Sequence, residues 1–297
     1  RSVVATISFQ GTKINPTNFS KSQIGFYAFL IPLGLFMLLP VVYIVNQAFK
    51  PLDELFLFPP RFFVQKPTLD NFITLFRTAT STGVPLSRYF FNTLIITFVM
   101  VVLTVWLSVT TGYVLSKKNF RAKSALFGIN QIALMFVRTA VVIPTYFIIV
   151  NIGLNNNPLV HILPYLAVPV SVFLMKQFID QIPDPIIEAA RVDGATDMQI
   201  VFKIIIPLTV NAIATVAILT FQATWGAVEA SSLYIQDETM KSFAFYLNTL
   251  ALANTGSTLA GVGMAAAAGL IMFLPNLIIF IVMQSRVMNT MAHAGIK

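Results

Sequence analysis

"PIIEAARVDGATDMQIVFKIIIPL", residues 185–208, lies between two long apolar runs, yet it carries Glu188, Arg191, Asp193, Asp197 and Lys203. Pro185 suits the first position of a helix, where its missing amide would be unpaired in any case, and Asp184 just before it is a candidate cap. Ile186, Ile187, Ala190 and Val192 give that helix an apolar side. Gly194 then supplies a break, and Thr196 with Gln199 three residues later forms a capping-box pattern that restarts a helix leading into the next apolar run. The expected product is a short helix, a sharp turn and a second helix, displayed at a membrane surface. On physics alone it is either an ordered loop or a docking element.

The rest of the chain explains why a membrane surface is meant. Of 297 residues, 57% are hydrophobic and only 10% charged, with a mean hydropathy of +0.80. That balance belongs to an integral membrane protein. No cysteine is present, which excludes disulfides and thiolate metal sites, and His161 and His293 lie too far apart in sequence to suggest a histidine metal centre. The formal charge of +8 reads as Lys and Arg holding topology and not as a nucleic-acid surface.

Six segments are long and apolar enough to cross a hydrocarbon core that needs about 20 helical residues: 24–48, 89–115, 124–150, 158–180, 204–226 and 262–284. All are expected to be helices, because unpaired backbone amides are too costly in lipid and nothing alternates with a period of two. The fold class is therefore an all-α membrane protein. Its membrane domain covers 24–284, preceded by a polar segment 1–23 and followed by a tail 285–297. The first run is too long for a cleaved signal and lacks a small-residue cleavage site, so it reads as an anchor. Lys117, Lys118, Arg121 and Lys123 crowd the loop after the second span, whereas "NIGLNNN" after the third carries no charge. Positive residues favour the cytoplasmic side, which puts both termini, the 116–123 loop and the 183–203 loop there.

Three further features stand out. The outer loop carries Phe56, Phe58, Phe62 and Phe63 around a proline pair, as expected of an interfacial belt or a contact surface. Gly261, Ala265 and Gly269 recur at four-residue spacing and would let a neighbouring helix approach closely. Arg138 falls near the middle of the third span, where a guanidinium must face protein, water or an anionic group.

Glu188-Ala189-Ala190, then Asp193-Gly194-Ala195, then Phe202, Ile205 and Pro207 resemble the "EAA" loop of permease subunits in bacterial ATP-binding-cassette importers. A second proline that the family often has past Pro207 is replaced by Asn211, which leaves the shape of the start of span five open. "PTLDNF" (67–72), "FNTL" (91–94), "IPTYFIIVNIGLNNNPLVHILPY" (143–165) and the ending "AHAGIK" are similar to carbohydrate-import permeases of the maltose-transporter type. The resemblance implies the type I importer permease fold in a bacterial inner membrane, with Glu188, Ala189, Ala190, Asp193, Gly194 and Ala195 in a coupling helix seated on an ATPase. It implies as partners a homologous second permease, two cytoplasmic ATP-binding subunits, an extracytoplasmic solute-binding protein and an oligosaccharide. His293, Gly295 and Lys297 in the tail become a candidate second contact with the ATPase. No G-x-x-x-x-G-K-[S/T] loop occurs, so no cofactor is expected in this chain and ATP and Mg²⁺ belong to the partner.

Two rivals from other classes are a passive channel and a membrane-embedded Mg²⁺-dependent enzyme built on Asp180, Asp184, Asp193 and Asp197. The channel leaves the charged loop unexplained, and Pro183, Pro185 and Gly194 interrupt the acidic pairs. For an importer, Arg138 with no acidic residue inside a span at its depth favours an acidic oligosaccharide, such as an oligouronate of the alginate kind, with a neutral one as the alternative.

Overall fold

The computed structural model describes residues 24–80, 83–255 and 260–294, and every regular element among them is helical. In order they are α1 (Ile24–Phe49), α2 (Leu52–Leu55), α3 (Asp70–Thr80), α4 (Leu86–Lys117), α5 (Lys123–Ala133), α6 (Val142–Asn151), α7 (Pro169–Asp180), α8 (Asp184–Val192), α9 (Asp197–Ile200), α10 (Ile206–Leu208), α11 (Val210–Trp225), α12 (Glu229–Leu233), α13 (Phe243–Thr255) and α14 (Ala260–Ala294). The expected N-terminal segment 1–23 and the tail residues Gly295 and Lys297 lie outside the described residues, as does the side chain of His293. The helix of the last span runs on to Ala294, so most of the segment expected to be a tail continues α14.

Four stretches are helical, long and apolar enough to span: Ile24–Phe49, Leu86–Lys117, Val210–Leu233, which joins α11 and α12, and Gly261–Gln284. The third and fourth predicted spans are not straight. Residues Lys123–Ala133 and Arg138–Asn151 meet at 103°, and Pro158–Tyr165 meets Pro169–Asp180 at 47°. At the first break Val137 is extended (φ −82°, ψ 131°), and the β-branched Val141, Val142 and Ile143 that follow lead to Pro144, which has no amide to return to the preceding turn. At the second, Pro164 and Pro169 punctuate the chain, and Val168 before Pro169 is pushed out of the helical region (φ −110°, ψ 90°). The fifth span also starts later than expected. Residues Val201–Ile205 wind as a π-turn ahead of Pro207, and the Thr209 hydroxyl donates to the Ile205 carbonyl at 2.7 Å, so the helix proper resumes at Val210.

α4 is the axis of the bundle. It packs along α7 and α11, and α7 comes close at Gly112, where a Cβ would lie 3.1 Å from the Lys176 amide nitrogen and the Met175 Cβ. α1 touches the bundle chiefly near its end, through Ala48 against Ala267 and Leu270 of α14, while Ile24 to Leu39 are exposed throughout.

At the end of the molecule that holds the N-terminus of α4, amide side chains pair with backbone groups that no helix satisfies. Asn71 Nδ2 donates to the carbonyls of Ala48 (3.0 Å) and Lys50 (2.8 Å), satisfying the exit of α1. Asn92 Nδ2 donates to the carbonyls of Thr239 (2.8 Å) and Lys241 (3.1 Å), and Thr93 Oγ1 accepts the amide of Phe243 (2.8 Å). The buried Glu54 carboxylate accepts the amides of Gln65 and Lys66, and the buried Lys50 ammonium donates to the Arg61 carbonyl. This frame holds the aromatic 56–63 loop folded, with Phe62 5.9 Å from Tyr43 of α1 and Phe58 95% exposed.

The small-residue spacing on α14 needs correction. Gly261 is buried, but Gly269 is exposed and meets nothing within 4 Å. The tight position is Gly263, where a Cβ would stand 2.6 Å from Asn71 Oδ1. Gly263→Ala therefore should displace the Asn71 amide and destabilise the folded chain by about 1–3 kcal/mol. Gly269→Ala should be neutral to stabilising, within about 1 kcal/mol. Thermal unfolding of the two variants in detergent compares them directly, and equal midpoints would disprove the Asn71 contact.

Candidate functional site

The 183–203 stretch forms the helix, turn and second helix that its residues dictate. α8 starts after Pro183, which is extended (φ −60°, ψ 133°) and offers no side-chain cap. Asp184 is thus inside the first turn and does not cap it, because its carboxylate is engaged elsewhere. Gly194 has φ +81°, a region open to glycine at no steric cost. Thr196 and Gln199 close the capping box: the Thr196 amide donates to Gln199 Oε1 at 2.8 Å and the Gln199 amide to Thr196 Oγ1 at 3.3 Å.

The apolar side of α8 divides in two. Ile187 is buried and Ala190 half-buried, joining Ile200, Val201 and Ile205 against Val109 and Tyr113 of α4, Met175 and Ile179 of α7, and Val216 of α11. Ile186 and Val192 point away, and Val192 is 87% exposed. Glu188, Ala189 and Asp193 are exposed with them, while Ala195 is half-buried beneath the turn. The element is anchored on one side and bare on the other.

Charge completes the anchor. Lys117, the last residue of α4, places its ammonium 2.7 Å from the Asp184 carboxylate. Lys118 lies 2.7 Å from the Asp197 carboxylate, which also accepts the Tyr113 hydroxyl at 2.9 Å. Arg191 donates to the Tyr113 oxygen at 3.4 Å. Asp180 takes the Ser116 hydroxyl at 2.6 Å and the Lys176 ammonium at 2.6 Å. Hydrogen bonding from Lys117 holds the Asp184 carboxyl below its ordinary range, and hydrogen bonds from Lys118 and then Tyr113 do the same for Asp197. Of the carboxylates considered for Mg²⁺, Asp180, Asp184 and Asp197 each pair with a different lysine, and Asp193 is exposed. Among the described residues no group of three or more His, Asp or Glu is arranged to hold a metal ion.

Arg138 lies elsewhere, nearer the opposite end of α4. It begins the 3₁₀ turn that follows the break in span three, so it sits at a bend and not within a continuous helix. Its guanidinium lies over the Tyr165 ring, 5.0 Å from the centroid, a cation–π contact. A cavity of about 260 Å³ is lined by Arg138 with Thr93, Met100, His161, Tyr165 and Thr220. An adjoining one of about 270 Å³ is lined by Arg138, Tyr165 and Glu229. Span five extends through α12 to Leu233, so Glu229 belongs to it and lines a cavity with Arg138, and the expectation that it falls just outside the span is overturned. Glu229 is nevertheless not among the ion pairs formed by the described residues, and neither is Arg138.

Sequence reasoning missed Tyr113, Tyr165 and Glu229 as site residues and assigned Lys117 and Lys118 to topology alone. Tyr113 carried a weak signal, a hydroxyl one turn from the end of an apolar helix. Tyr165 carried none apart from its place at the end of the 143–165 motif.

Residues 85–285 match the family described as "Binding-protein-dependent transport system inner membrane component". The "Inner membrane ABC transporter permease protein YcjP" of Escherichia coli (strain K12) is 27% identical over 278 residues, covering 93% of this chain and 97% of that protein. The "Arabinooligosaccharides transport system permease protein AraQ" of Halalkalibacterium halodurans is 29% identical over 277 residues, 91% of this chain and 94% of that one. In fold, the chain is similar to one in the crystal structure of a bacterial ABC transporter involved in the import of the acidic polysaccharide alginate. The TM-score is 0.76 at 22% identity, covering 91% of this chain and 99% of the other.

Two outcomes follow from the geometry of the loop. A Cβ at Gly194 would meet nothing within 4 Å, so substitution there is penalised by the backbone alone. Gly194→Val should cost about 1–3 kcal/mol of local order and lower ATP-coupled uptake while membrane insertion persists, and Gly194→Asn should be tolerated better. Uptake assays on both variants check the order, and equal uptake would exclude a strained turn. The depressed carboxyls of Asp184 and Asp197 add stability that is present above the unfolded-state carboxylate pKa and is lost as pH falls through the lower folded value. Hydrogen exchange in 184–197 should therefore be flat from pH 8 to about pH 5, once corrected for intrinsic rates, and rise only below about pH 4.

Proposed function

The chain belongs to the family of binding-protein-dependent transport system inner membrane components, and we propose that within it the chain forms one half of the pathway of an ATP-driven oligosaccharide importer. It is a transport component, and the ATPase is a separate polypeptide. The observation that carries the proposal is the division of α8: buried Ile187 fixes it to the bundle, while Val192, Ile186 and Glu188 remain free to meet another surface. Such a projecting element is what a chain without a nucleotide-binding loop requires. Only contacts that differ between two states of the ATPase can shift the permease between its own states.

In this reading Glu188, Ala189, Ala190, Asp193, Gly194 and Ala195 dock on the ATPase, on the cytoplasmic side together with both termini. His293, Gly295 and Lys297 supply a second contact with it. A homologous permease covers the exposed face of the bundle, and an extracytoplasmic solute-binding protein meets the end that carries the outer loop.

The substrate is an oligosaccharide, as it is for the arabinooligosaccharide permease AraQ. Arg138, Tyr165 and Glu229 around one cavity combine a fork of donors, an aromatic face and an acceptor. Hydroxyl-rich sugars use all three, which supports a neutral oligosaccharide. An acidic one, chemically like the alginate imported by the transporter of similar fold, is favoured by a separate observation: the Arg138 guanidinium has no ion pair among the described residues.

Uptake of neutral and acidic oligosaccharides of equal length, by vesicles holding the full complex, separates the readings. For a neutral substrate, Arg138→Gln and Glu229→Gln should each lower its uptake about tenfold, since a hydrogen bond to a charged group contributes about 1.5–3 kcal/mol. For an acidic substrate, Arg138→Gln should lower uptake more than Arg138→Lys, and Glu229→Gln should raise it. No effect of any variant on either sugar would remove Arg138 from the pathway.

A further inference from the structure

We propose that Lys117, Lys118 and Tyr113 at the end of α4 are positioning residues for coupling, a clasp that makes the docking element and α4 move as one body. The proposal rests on the reading of α8 as the ATPase-docking element. It adds what determines where a push on that element goes.

The clasp has two jaws. Lys117 grips Asp184 in the first turn of α8, and Lys118 with Tyr113 grips Asp197 in the first turn of α9. The two aspartates lie on either side of the Gly194 turn, at the positive ends of their helices, where carboxylates are favoured. The two lysines sit at the C-terminal end of α4, where cations are favoured for the opposite reason. Lys117 also donates to the Ile182 carbonyl at 2.5 Å, and its side chain is only 6% exposed, so the lysine of the first jaw is held in place while the Asp184 side chain it meets is 72% exposed.

Buried isoleucines alone would not fix the orientation of the element. Apolar contact is non-directional and lets a short helix roll over the surface that covers it. Charge-assisted hydrogen bonds are directional, and two of them on opposite sides of a turn remove the roll. A third link supports them about two turns from Tyr113 along α4, where Phe202 stacks on Trp106 with ring centroids 5.3 Å apart.

α4 carries the motion away from the clasp. Thr93, near its other end, lines the cavity and accepts the Phe243 amide, while Asn92 holds the carbonyls of Thr239 and Lys241. Lys117 and Thr93 are separated by about 36 Å of continuous helix at 1.5 Å per residue. A displacement of the docking element thus arrives at the cavity wall and at the 239–243 loop without passing through either broken span.

The test uses the full complex in vesicles, with sugar moved per ATP hydrolysed as the readout. Tyr113→Phe keeps the buried ring and deletes only the hydroxyl, and Asp197→Lys reverses one jaw. Docking is monitored separately by cross-linking Val192→Cys, in a chain that has no other cysteine, to a cysteine on the ATPase. Sugar moved per ATP should fall about threefold in Tyr113→Phe and about tenfold in Asp197→Lys, with the cross-link retained. Combining Lys118→Asp with Asp197→Lys should recover part of the loss, limited by the reversed helix-end charges. An unchanged ratio in both single variants with the cross-link intact, or no recovery in the swap, overturns the clasp and leaves the docking reading standing. Failure of the cross-link before any clasp substitution overturns the docking reading, and the clasp with it.

Discussion

The burial of Ile187, Ile200 and Ile205 against α4, α7 and α11 is the contact on which the exposed end of this molecule depends. Taking an isoleucine side chain out of water contributes about 1.5–3 kcal/mol, so these contacts alone can hold a short helix that would be unstable by itself. Once the underside is fixed, its upper residues are free to be small or exposed: Ala189, Val192 and the Gly194 turn have no packing role to fill. A helix of nine residues with one committed face can therefore present the other to a partner without unfolding when that partner moves.

The same logic explains which features were legible in sequence. The 185–208 stretch was readable because each signal there is local: a proline near a helix start, a glycine at positive φ, a Thr and a Gln three residues apart. Asp184 was misread because a local rule offered it the cap, while a lysine 67 positions earlier in the chain takes its carboxylate. The Lys117–Lys118 pair satisfied a topology rule so well that nothing prompted a second role. The Gly261, Ala265 and Gly269 spacing identified the correct helix and the wrong residue, because the tight position is set by one side chain, Asn71 of α3, closing on Gly263, and not by a small-residue period. Asn71, Asn92 and Thr93 stood inside recognisable motifs, yet their pairing with carbonyls and an amide on distant segments became visible only once those segments were brought beside them.

Hydropathy found the spans and missed their breaks. A window average counts Val137, Pro144, Pro164 and Pro169 as apolar or neutral, but each restricts the backbone in a way the average ignores. Irregular backbone at membrane depth is tolerated only where protein or a water-filled cavity covers it. At the first break Met135 to Ala140 are exposed on this chain, but residues beside both breaks line cavities. Arg138 stands just past the first, Tyr165 just before the second, and both side chains line the same cavities.

The bends and the charges belong to one arrangement. A straight third span would carry Arg138 at the middle of a helix, where a guanidinium costs at least about 2.5–3.5 kcal/mol unless it finds protein or water. Breaking the helix at that residue turns its side chain onto the Tyr165 face and places it across a cavity from Glu229 on the span-five helix. The prolines that interrupt the fourth span bring Tyr165 to the same place. The adjoining cavity, which Arg138 and Tyr165 also line, has α4 as a wall through Thr93, Ile96 and Met100, and α4 runs unbroken from there to Lys117. The two cavities are thus bounded by segments that bend and by one straight helix that does not, and a rigid wall is what a force applied at the far end of the molecule can move.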